Sequence, residues 1–158
     1  MNVPMAGKPI KGLLIAPERS RAYCVFKDVL SPDLIYKALG TKDFGYCTRY
    51  LGPIPLLIVF CCDVDRDAIT TIHGPDRERV IIGSSMIFGK DEDGSFRSLT
   101  DFELTALRNN TSILSKRNIT YFGVNGMTKD PRPLELEAVG SDDDIPGSDV
   151  VSLMDDRE

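Results

Sequence analysis

The sequence predicts an α+β fold: a mainly antiparallel sheet with two short helices, followed by an acidic C-terminal tail that stays largely disordered. Three observations carry this. Short apolar runs separated by Gly, Pro and Asp clusters outnumber helical patterns, two segments carry full helix-start signals, and charge and proline content change at about residue 128. The length of 158 residues suits one globular domain over 1–127 with an appendage over 128–158.

Ile10 to Ala16 reads as a strand ended by Pro17, and Arg21 to Lys27 as its hairpin partner, with Ala22, Cys24 and Phe26 alternating against Arg21, Tyr23 and Lys27. Ser31-Pro32-Asp33 supplies an N-cap, a proline at the first helical position and an early acid, and Gly40 stands where a left-handed residue closes the helix. Its apolar side is Leu34, Ile35, Ala38 and Leu39. Tyr46 to Leu51 is a strand broken by Gly52-Pro53-Ile54-Pro55. Leu56 to Cys62 is apolar throughout, the pattern of a strand covered on both faces, and is the expected central strand.

Ala68 to Ile72 reads as a shorter strand, stopped by a loop at His73-Gly74-Pro75-Asp76. Val80 to Phe88 reads as one strand running into the acidic turn Asp91-Glu92-Asp93-Gly94, with Gly94 at positive φ. Thr100 and Glu103 have capping-box spacing, so a helix opens there with Leu104, Leu107 and Phe102 toward the core. Ile119 to Val124 is the last strand.

The chain is 42% hydrophobic and 27% charged, and no apolar run approaches the roughly 20 residues needed to cross a bilayer. Neither Met1 to Pro9 nor Leu13-Leu14-Ile15-Ala16 resembles a secretory signal, so a cytoplasmic protein without a membrane partner is expected. Cys24, Cys61 and Cys62 lie in apolar runs and, with Cys47, are expected as reduced thiols. With no C-x-x-C pair and His73 the sole histidine, no zinc site is expected. Asp63, Asp65 and Asp67 open like a calcium loop, but Ala68 replaces the needed glycine and Gly74 the closing glutamate, so a solvated turn and no metal or cofactor are expected.

Net charge is -5, distributed unevenly: residues 128–158 hold three basic and ten acidic side chains, and the remaining 127 residues hold 16 and 14. A body so close to neutral lacks the basic footprint of a nucleic-acid binder. The tail, with Asp142-Asp143-Asp144, is either solubilising or an interaction segment that docks on a basic partner surface. No G-x-x-x-x-G-K-[ST] or G-x-S-x-G motif occurs, and no catalytic residues are assigned. A small-molecule pocket would draw on His73, Arg77, Arg79 and Ser84, where the strand over 80–88 meets the loop from His73 to Arg79.

Val80-Ile81-Ile82-Gly83 through Met86-Ile87-Phe88-Gly89, then the acidic turn, then Ser98-Leu99-Thr100-Asp101 opening a helix, resembles the carboxy-terminal part of the small DUF3846 family. Lys11-Gly12-Leu13-Leu14-Ile15 and Leu56-Leu57-Ile58-Val59 are similar to its earlier strands, and Arg77 or Arg79 stands near its arginine before the glycine strand. The similarity spans about residues 10–112; the stretch from Asp63 to Asp76 departs from the family's linker and the tail has no counterpart. It implies a setting among bacteria, phages and mobile elements rather than an activity.

Two functions follow as expectations. The first is a noncatalytic protein-binding accessory or counter-defence factor of a phage or mobile element, which occupies a protein partner's surface. The alternative is a small-molecule or nucleotide-binding domain that sequesters its ligand without hydrolysis. Exposed strand edges also point to a homo-oligomer formed by edge pairing.

Overall fold

The computed structural model describes residues 8–19, 21–116, 118–133 and 150–154. Strand β1 (Pro9–Ile15) shows how the interior is organised, because its successive side chains enter different cores. Leu13 and Ile15 join one cluster and Leu14 the other. Its hairpin partner β2 (Tyr23–Val29) runs antiparallel to it, as expected. Helix α1 (Pro32–Leu39) is capped by the Ser31 side chain, which accepts from the Leu34 amide, and ends at Gly40 in the left-handed region. Burying Leu34, Ile35, Ala38 and Leu39, α1 covers the cluster that holds Leu14, Phe26 and Phe88.

Strands β3 (Phe44–Leu51) and β4 (Ile54–Cys61) form the next hairpin. Then follow β5 (Thr70–His73), a 3-10 turn over Pro75–Arg77, β6 (Arg79–Ile82), β7 (Ser85–Lys90) and β8 (Phe96–Arg97). Helix α2 (Asp101–Asn109) has the expected capping box between Thr100 and Glu103. Strands β9 (Thr111–Lys116), β10 (Ile119–Val124), β11 (Met127–Thr128) and β12 (Val150–Val151) complete the described chain.

The larger sheet has the order β11-β3-β4-β7-β1-β2-β12, with β8 also on β7, and the smaller one β6-β5-β10-β9. Pairings are antiparallel except β10 with β5 and β12 with β2. The second core lies between the sheets, where Leu56, Ile58 and Ile87 of the larger meet Ile72, Ile81 and Val124 of the smaller and Ala106 and Leu107 of α2. The larger sheet is therefore covered on both faces, which is why β4 reads as an unbroken apolar run. The middle of the strand order is nevertheless β7, with β4 beside it, a correction to the expected central strand.

The main departure falls at 80–88. In place of one strand, β6 pairs with β5 in the smaller sheet and β7 pairs with β4 and β1 in the larger. Gly83, at φ 81°, makes the switch, and its amide donates to the Ile69 carbonyl over 2.7 Å. An added Cβ there would stand 2.7 Å from Val64 Cγ1, so glycine is needed both for its backbone and for its lack of a side chain. The apolar runs Val80-Ile81-Ile82 and Met86-Ile87-Phe88 flank the kink, and only Gly83-Ser84-Ser85 separates them.

Smaller corrections follow the same logic. His73 ends β5 and is buried, not in a loop. Phe102 is 65% exposed because it lies on the outer side of α2, while Leu107 is buried. Cys62 is exposed just beyond β4, whereas Cys24 and Cys61 are buried. Strand β9, unmarked in the sequence reading, follows α2 directly and has exposed positions at Ile113 and Ser115. Most of the tail expected to be disordered, 134–149 and 155–158, lies outside the described residues; within 150–154, Val150 and Val151 pair with Val25 and Phe26, and Leu153 is 3% exposed. The outer edges of β3 and β2 thus each carry a two-residue strand from later in the chain, which covers part of an otherwise open edge.

Candidate functional site

After β10 the chain turns at Gly126 and lays β11 along the end of β3, Met127 opposite Leu51 and Thr128 opposite Tyr50. The Thr128 hydroxyl lies 2.7 Å from the Asp130 carbonyl and 3.3 Å from that of Tyr50, and the Arg132 amide donates to the Gly52 carbonyl over 2.9 Å. These bonds hold residues 127–132 over the β3–β4 turn and bring Lys129 and Arg132 to one wall of a cleft. The opposite wall is the 3-10 turn between β5 and β6, closed by the Gly74 amide donating to the Glu78 carbonyl.

The cleft measures about 540 Å³, and Arg49 of β3, Arg79 of β6, Lys129 and Arg132 all line it. Glu78 and Asp130 line it as well, so its formal charge is positive. Arg49 donates to the Thr48 carbonyl over 2.8 Å and Arg79 to the Arg66 carbonyl over 3.1 Å, which orients both guanidinium groups. Among the described residues, none of the four cations sits in an ion pair. A smaller depression of about 210 Å³ adjoins it, sharing Pro75, Thr128 and Arg132 and reaching to Asn110. Guanidinium forks suit the paired oxygens of phosphates and carboxylates, so this arrangement can hold an anion. Its lining also carries the Thr128 hydroxyl and the Glu78 and Asp130 carboxylates.

The residues singled out in the sequence do not come together. Arg79 lines the cleft, whereas Arg77 is the last residue of the 3-10 turn beside it. His73 does not line it: the imidazole is 7% exposed and packs where a side chain on Gly123 would otherwise stand. Ser84 belongs to the link between β6 and β7 and lines a separate pocket of about 220 Å³ with Cys61 and Val64. The Cys61 thiol there is pushed up to about 11 by burial, with Asp63 and Cys62 adding to the effect, so it stays protonated and weakly nucleophilic. Asp142, Asp143 and Asp144 lie outside the described residues.

Arg49, Lys129 and Arg132 were not anticipated. Arg49 lies in an ordinary strand pattern, and the other two lie in the segment assigned to the tail; the pairing of β11 with β3 brings them beside Arg49, and the turn between β5 and β6 brings Arg79 to the same cleft. No family model, curated protein or solved structure matches this chain.

Proposed function

We infer that this protein binds a small polyanion, a nucleotide or similar phosphate-bearing molecule, and holds it without cleaving it. The observation that carries the reading is the convergence of Arg49, Arg79, Lys129 and Arg132, from three separate parts of the chain, on one cleft of about 540 Å³. That volume is within the usual range of about 300–1,000 Å³ for small-molecule sites. Four cations against the two carboxylates of Glu78 and Asp130 leave an excess of positive charge in the empty cleft, and an anion neutralises it. The absence of a P-loop motif from the sequence favours sequestration over hydrolysis.

Titration calorimetry with ATP, GTP and pyrophosphate at low and high salt tests the reading. We expect uptake that weakens with salt, falls at least about tenfold in an Arg79→Ala/Arg132→Ala double variant, and returns the nucleotide intact. Absence of uptake, or uptake indifferent to both substitutions, removes the cleft from consideration. The protein-partner reading rests on Asp142, Asp143 and Asp144. Changing these three to Asn, with residues 150–154 kept, tests it by loss of partner binding.

A further inference from the structure

The outer edge of β2 is closed by residues 150–154, which make a small number of specific contacts. Val150 and Val151 run parallel to β2 opposite Val25 and Phe26. Beyond them the Asp28 carboxylate uses both oxygens: Oδ1 accepts the Ser152 hydroxyl at 2.5 Å and Oδ2 accepts the Leu153 amide at 2.9 Å. Asp28 is 7% exposed, and these two bonds supply the partners that a buried carboxylate needs. The Leu153 side chain is 3% exposed and enters the core beneath α1, and Lys37 of α1 donates to the Met154 carbonyl over 3.0 Å.

These are the parts of a peptide-recognition site. Main-chain pairing supplies affinity that is indifferent to sequence, a carboxylate reads a hydroxyl and a main-chain amide, and an apolar socket reads the next residue. The occupant is only partly covered. Val150 and Met154 are 49% and 47% exposed, and the described pairing involves only two of the seven residues of β2. Sixteen residues, 134–149, connect it to the rest of the described chain.

We propose that the β2 edge, with Asp28 and the Leu153 socket, is a binding site for an extended peptide strand, which residues 150–154 occupy as an internal ligand and which a strand of another protein takes in their place. The pattern it recognises is two apolar residues, then Ser or Thr, then Leu or a similar aliphatic residue, running parallel to β2. A tethered occupant competes at an effective concentration on the order of millimolar. The intact protein therefore binds such a strand weakly, and release of its own segment opens the site.

The test uses the full chain and a capped peptide of residues 149–154, followed by anisotropy and by amide shifts of β2. Leu153→Asp releases the internal strand, and Ser152→Pro is a second release variant should the first fail to fold. We expect the peptide to bind a release variant at least about tenfold more tightly than the wild type, because the competent fraction rises. We expect its shifts to fall on residues 23–29, and its binding to be lost when Asp28→Asn is added or when the peptide carries Ala at its Ser152 position. Absence of binding to either folded release variant overturns the proposal, as does binding indifferent to Asp28. A wild-type dimer at micromolar concentration that the peptide dissociates makes a second copy the occupant and overturns the foreign-partner assignment.

Discussion

Gly12→Ala adds one methyl group to a crowded position of β1. Gly12 lies opposite Phe26 in the β1–β2 register, and a Cβ built on it would stand 2.7 Å from Phe26 Cζ and 2.8 and 2.9 Å from Phe88 Cε1 and Cδ1. Carbon atoms prefer about 3.5–4.0 Å, so the rings would have to withdraw by roughly 0.6–1 Å. They have nowhere to go. Both are fully buried, they meet edge to face at 5.6 Å, and Phe88 is backed in turn by Phe96 at 5.4 Å. Overpacking of a dense interior costs about 1–3 kcal/mol, and replacing a strand glycine returns about 0.5–1 kcal/mol. The expected net loss is about 1–2 kcal/mol, or a fall in Tm of several degrees for a chain of this length. The chain has no tryptophan, so urea unfolding is followed by far-UV circular dichroism. The midpoint should fall with the slope unchanged. In a Phe88→Leu background the loss should shrink by more than about 0.5 kcal/mol, since the two positions share one space. A Gly12→Ala protein as stable as the wild type, or an equal loss in both backgrounds, would refute the argument.

The remaining predictions concern α2 and the thiols. Burial pushes the Glu103 carboxyl up, but two 2.7 Å bonds from Arg97 and one from the Thr100 amide outweigh it and hold the group below the usual carboxylate range. Its stabilisation is therefore full above the unfolded value of about 4.3 and is lost as pH falls through the folded value. Glu103→Gln should flatten the acid limb of the stability profile and cost about 2 kcal/mol near pH 7, trimmed by the partial exposure of Arg97; an unchanged acid limb contradicts this. Thr100→Ala, which removes the hydroxyl that accepts from the Glu103 amide, should cost about 1 kcal/mol in the same urea assay. A thiol reagent at pH 8 should reach exposed Cys62 first and leave buried Cys24 and Cys61 until unfolding, and early labelling of Cys61 would show its pocket to be open.

Local chemistry made parts of the fold legible. Ser31, Pro32 and Gly40 mark both ends of α1, and Thr100 with Glu103 marks the start of α2, because caps act within four residues of the groups they satisfy. The apolar run in β4 announces burial on both faces, since solvent would otherwise impose alternation. At Gly83 local logic is weaker: Gly83-Ser84-Ser85 is a short interruption between two apolar runs, and only the pairing partners show that the runs belong to different sheets.

Of the candidate site, the sequence alone determined Arg79 and the turn beside it. Tertiary structure decided the rest. Arg49 and Arg132 are 83 residues apart and meet because β11 pairs with β3, and Asp28 and Ser152 are separated by 124 residues and meet because β12 pairs with β2. Backbone pairing is chemically the same for every residue, so sequence carries little record of which edge a distant two-residue strand will close. That choice depends on the register of the whole sheet and on apolar positions such as Leu153 finding a socket that only the folded α1 and β2 create.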